Sequence, residues 1–144
     1  MFMLTIFDSK KSKIQKSHLK NLATLAKADG EISEEEITFI NKIGAKQGFK
    51  ESEISSLLQN TATTEFEMPT NDSDRFDQIF DLVKLMSVDG VIDDKEMDFC
   101  ITIAEKLGFR KAIVGILVRK ISLGLTTGLD KDVIKSESEA FLYF

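Results

Sequence analysis

Leu25 to Phe49 reads LAKADGEISEEEITFINKIGAKQGF, and Leu85 to Phe109 reads LMSVDGVIDDKEMDFCITIAEKLGF. The second segment follows the first by sixty residues, and the two align without a gap at ten identical positions of 25, where composition alone gives about one or two. Each copy holds Asp-Gly, an Ile two residues after the Gly, and a Glu four residues further on. The chain therefore reads as an internal duplication, and function is expected where the two units meet.

Working outward, apolar residues recur at helical spacing almost everywhere. Leu19, Leu22, Leu25 and Ala26 mark a first helix that should stop near Asp29-Gly30, where Gly accepts the left-handed conformation of a helix end. Ser33 opens a second helix whose buried stripe is Ile37, Ile40, Ile43 and Gly44 and which Gly48 ends; Ile54, Leu57 and Leu58 belong to a short third. Asn60 to Asn71, with the single Pro, is a polar connector. The second copy repeats the plan with Phe76, Ile79, Phe80, Val83 and Met86, then Met97, Cys100, Ile103, Ala104 and Leu107, then Ile113, Leu117 and Ile121. The predicted fold is an all-α compact helical bundle built from two repeated helix-turn-helix units, about 19–58 and 79–118, in a single domain spanning 1–144. In the tail, 124–144, Gly124 and Gly128 loosen the start, and Asp130 to Lys135 offers one short helix at most.

Composition narrows the function. With 144 residues, 42% hydrophobic and 30% charged, the chain buries roughly two thirds of its unfolded surface without staples. One Cys rules out an internal disulfide and fits a reducing cytoplasmic setting. A formal net charge of -5 argues against nucleic acid as partner, since phosphate neutralisation needs a basic face. Lys10, Lys11, Lys13, Lys16 and Lys20 crowd the start, behind the apolar run MFMLTIF of Met1 to Phe7. That run is too short to span a bilayer and its charge order is wrong for a secretory signal. It is expected to dock on the core, against the apolar Ala140 to Phe144; the alternative is a weak membrane-surface anchor at the inner face, backed by the lysines.

The repeated turn has an architectural and a chemical reading. Ser33 with Glu36, and Asp93 with Glu96, each match a capping box, in which the cap side chain accepts an orphan backbone N–H and the Glu reaches back. Asp29 and Asp89 fit that scheme less well, because an acid at a helix C-terminus faces the negative end of the dipole. If the turns meet, Asp29, Glu36, Asp89 and Glu96 form a carboxylate cluster in which two charges about 5 Å apart repel by roughly 3 kcal/mol at an effective dielectric of 20. A divalent cation relieves that repulsion, and oxygen-only ligation points to calcium, magnesium or manganese. The sequence argues against an EF-hand, because its first and third ligand positions fall on Leu25 and Lys27 in one copy and on Leu85 and Ser87 in the other.

The remaining chemistry is sparse. His18, the only His, stands among lysines and is expected to be exposed. Cys100 falls on an apolar stripe and reads as a small buried hydrophobe. Phe39, Phe49, Phe99 and Phe109 recur at matching places, as core positions do, and Gly44, aligned with Ala104, is expected to permit close helix approach. No nucleophile–base arrangement or phosphate loop is present, so a hydrolytic role for paired acids lacks a polarising group and the chain reads as non-enzymatic.

ADGEISEEE of Ala28 to Glu36, VDGVIDDKE of Val88 to Glu96, and the Gly-Phe closing each copy resemble the duplicated all-helical domain of the bacterial tellurite-resistance (TerB-like) family over about Leu19 to Val118. The resemblance implies a helical bundle serving a metal or chemical stress response. It also implies a divalent metal held by the acidic residues matched here by Asp29, Glu36, Asp89 and Glu96. The family includes domains attached to membrane-anchored co-chaperones, which makes a metal-free protein–protein interaction scaffold the alternative. On the metal reading, calorimetry with calcium, magnesium or manganese is expected to give heat with the wild type and none with Asp29→Asn/Asp89→Asn at unchanged thermal stability; equal binding by the variant makes the turns purely architectural.

Overall fold

A computed structural model describes residues 10–27, 31–60, 66–87 and 94–142. The N-terminal run 1–7, Asp29, Gly30, Asp89 and Asp93 lie outside these residues, so the proposed docking of the apolar start is not described. The architecture is all-α. The helices are α1 (Lys10–Ala26), α2 (Glu34–Lys46), α3 (Glu51–Gln59), α4 (Asp72–Met86), α5 (Asp94–Lys106), α6 (Lys111–Thr126) and α7 (Lys131–Leu142). No strand occurs among the described residues.

α1, α2 and α3 each pack on the other two, α4, α5 and α6 do the same, and the groups join where α1 lies against α4 and α5. α1 and α4 form the centre because they are buried round most of their circumference: Leu19, Leu22, Leu25 and Ala26 of α1 meet Phe76, Ile79, Leu82, Val83 and Met86 of α4 in one core. Removing such surface from water supplies about 25 cal/mol per Å2, and truncating one of these side chains to Ala typically costs about 2–5 kcal/mol. Lys84 of α4 lies over the Phe39 ring of α2, 6.0 Å from its centroid.

The connections after α2, α5 and α6 follow one rule. Gly48, Gly108 and Gly128 have φ of +90°, +95° and +77°, the left-handed conformation in which an L side chain is strained. Each ends a helix with the same pair of backbone bonds. Phe49 N–H donates to the Gly44 carbonyl at 3.0 Å, Phe109 N–H to Ala104 at 3.1 Å, and Leu129 N–H to Gly124 at 2.9 Å. Gly48, Gly108 and Gly128 donate three residues back, to Ala45, Glu105 and Leu125. This pattern satisfies the carbonyls that a helix end leaves orphaned. The next helix starts three residues after each glycine, and ten residues after the small residue Gly44 or Gly124 an Ile packs straight onto it. A Cβ added to Gly44 would stand 2.5 Å from Ile54 Cδ1, and one added to Gly124 would stand 2.6 Å from Ile134 Cδ1.

Two expectations are corrected. The tail is not a loosened segment with one short helix: α6 runs through Gly124, and α7 is a 12-residue helix. Gly124 serves as a packing notch, and α7 is clamped to α4 by Lys135 and Lys131, whose Nζ atoms lie 2.9 and 3.2 Å from Asp77 Oδ1. Lys131 also covers the ring of Phe80 and Lys135 that of Phe76, at 5.3 and 5.8 Å from the centroids. Ile37 is 37% exposed, outside the stripe predicted for α2, because Glu36 takes the inward position beside it. The four matched Phe residues are half-buried and packed on the core.

Gly124→Ala is expected to destabilise by about 1–3 kcal/mol through overpacking against Ile134. Gly115→Ala, in mid-helix with nothing within 4 Å of the new Cβ, is expected to stabilise by about 0.5–1 kcal/mol. Urea unfolding of the two variants checks both signs.

Candidate functional site

Of the four carboxylates predicted to gather, Glu36 and Glu96 are described, and Asp29 and Asp89 lie outside the described residues. Ser33 Oγ accepts from Glu36 N–H at 3.1 Å, and Glu36 Oε1 accepts from Ser33 N–H at 2.9 Å. This is the complete capping box read from the sequence. Glu36 is 4% exposed and Glu96 2%, so both carboxylates turn inward at the first turn of their helices. Glu96 is partnered as well. Among the described residues no group of three or more His, Cys, Asp and Glu side chains is placed to hold a metal ion.

A second constellation escaped sequence reasoning. His18 is buried, not exposed: its side chain is 2% accessible and Nε2 lies 2.8 Å from Asp81 Oδ2 on α4. The flanking Lys16 and Lys20 misled the sequence reading, because a helix turns about 100° per residue and neighbours in sequence face different ways. The usable signal was the spacing 18, 22, 25, which sets His18 on the Leu22–Leu25 stripe. Its partner stands 63 residues away, and no local pattern announces it. An ionised carboxylate only accepts, so Nε2 carries a ring proton, and when the ring is neutral Nδ1 is a bare acceptor. Nδ1 is buried without a partner, as is Oε1 of Gln47.

These two residues line a cleft of about 470 Å3 between the N-terminal halves of α1 and α4. Lys10, Lys11, Ile14 and Gln15 form its α1 wall, and Asp74, Asp77, Gln78 and Asp81 its α4 wall.

A different surface lies on α5 and α6. Met97, Ile101, Val118 and Leu123 line a groove of about 530 Å3, with Arg119 and Ser122 at its edge. Leu123 is 61% exposed, and Ile116, two turns before it on the same face of α6, is 59% exposed. Cys100 is buried as expected, and desolvation pushes its thiol from 9.0 up to about 12, which leaves it protonated and unreactive at neutral pH.

No helix among the described residues is long and apolar enough to cross a membrane. No protein-family model, curated protein or solved structure matches this chain.

Ser33→Ala is expected to cost about 1 kcal/mol, whereas Glu36→Gln keeps an acceptor that can reach back and is expected to change stability by less than about 0.5 kcal/mol. Chemical denaturation of both variants tests the architectural role of Glu36.

Proposed function

We propose that this chain is a non-enzymatic TerB-like module, two helix-turn-helix units and a terminal helix, that works as a protein–protein interaction scaffold in a bacterial stress response. The observation that carries this reading is the α5–α6 groove: an apolar trough with two large aliphatic side chains, Ile116 and Leu123, in water beside it. A patch of this kind on a folded surface marks an interaction site. The occupant that fits is one amphipathic helix of a partner, its aliphatic anchors seated on Met97, Ile101 and Leu123 and an acidic residue facing Arg119.

Two repeated helix-turn-helix units are consistent with backbone bonds at helix ends that recur sixty residues apart. Lys27 to Ala23 is answered by Ser87 to Val83, and Gln47 to Ile43 by Leu107 to Ile103. Chelation of calcium, magnesium or manganese by Asp29, Glu36, Asp89 and Glu96 is the competing proposal. The capping box weighs against it, since Glu36 already spends one carboxylate oxygen on Ser33 N–H.

A synthetic amphipathic helix with leucines at i, i+4 and i+7 and glutamates on its flank is expected to shift the amide resonances of Met97, Ile101 and Leu123. Leu123→Asp, at an exposed position, is expected to weaken that binding at least about tenfold without lowering the melting temperature. Resonance shifts spread over other helices, or undiminished binding by Leu123→Asp, would refute the groove as the docking surface.

A further inference from the structure

The cleft between α1 and α4 is independent of the groove and holds groups that the scaffold role does not use. Its lining includes two residues with buried side-chain atoms that have no partner, His18 Nδ1 and Gln47 Oε1. Burying an acceptor unpaired forfeits its hydrogen bond to water, so such atoms either cost stability or wait for a donor. Asp81 holds the His18 ring through Nε2, which fixes the direction of Nδ1 and, in the neutral ring, leaves it an acceptor.

The cleft walls define the donor. The α4 wall is anionic, but each of its carboxylates is already engaged: Asp74 by Asn71, Asp77 by Lys131 and Lys135, and Asp81 by His18. Lys131 and Lys135 compensate the charge of Asp77, so the negative field of this wall comes from Asp74 and Asp81. Lys10 and Lys11, both exposed, stand on the α1 wall. A plain cation would meet the two lysines, and a plain anion would meet the three aspartates. The volume falls in the range of small-molecule sites.

We infer that this cleft binds a small zwitterion of the amino-acid or dipeptide class. Its ammonium donates to His18 Nδ1 and Gln47 Oε1, and its carboxylate turns toward Lys10 and Lys11. An ammonium brings three N–H donors to the two waiting acceptors, and the carboxylates of Asp74 and Asp81 on the α4 wall favour its charge.

Because the chain has a single His, nitrogen-15 NMR reports on its ring nitrogens without ambiguity. Titration with glycylglycine is expected to move the Nδ1 resonance saturably. Ethylamine and acetate, carrying one charge each, are expected to move it less than a tenth as far at equal concentration. Lys10→Gln/Lys11→Gln is expected to weaken glycylglycine about tenfold with an unchanged melting temperature, and Gln47→Met is expected to weaken it similarly. No saturable shift with glycylglycine, an equal response to ethylamine or acetate, or full affinity in the lysine variant would each overturn the assignment.

Discussion

Close approach of consecutive helices at a small residue is the constraint on which the rest of the bundle depends. Gly44 and Gly124 have no side chain to hold their neighbours away, so Ile54 and Ile134 press onto the backbone itself. The left-handed glycine four residues after each notch turns the chain back at a defined angle, and the six-residue hydrogen-bonded loop closes the helix end. Those two features set the direction of α3 and α7. Packing then follows from period: once the corners aim the helices, the apolar stripes of α1 and α4 face each other at the centre with the other helices around them.

Much of this was legible. The cores of α1, α4, α5 and α6 follow a period of 3.6 that needs no tertiary information, and the Ser33–Glu36 capping box is a local motif readable from four residues. What was missed is instructive. Gly124 and Gly128 read as loosening elements, yet they stand to Ile134 as Gly44 and Gly48 stand to Ile54. The comparison that exposes this is a shift of eighty residues, whereas the obvious repeat has a shift of sixty. Ile37 was assigned inward because hydrophobicity outweighed the capping geometry that turns Glu36 in instead.

The candidate sites divide along the same line. Glu36 could be found because its acid chemistry and its place at a helix start are both local. The His18–Asp81 pair, the Gln47 acceptor and the α1–α4 cleft depend on residues brought together from separate helices. Sequence spacing along one helix predicts a face but not what lies opposite. The α5–α6 groove is intermediate: Ile116 and Leu123 are visible as apolar residues, but their exposure is decided by α7 packing on the other side of α6.

α6 is the returning arm of one corner and the leading arm of the next, since Val114 in its first turn stands ten residues after Ala104 and Gly124 notches it ten residues before Ile134. A helix used in both senses makes the architecture extensible by increments of about twenty residues, as in repeat arrays where each unit rests only on its neighbours. The chain could therefore grow in length over evolution without reworking its centre, each appended helix requiring only another glycine pair and a branched aliphatic at the right interval.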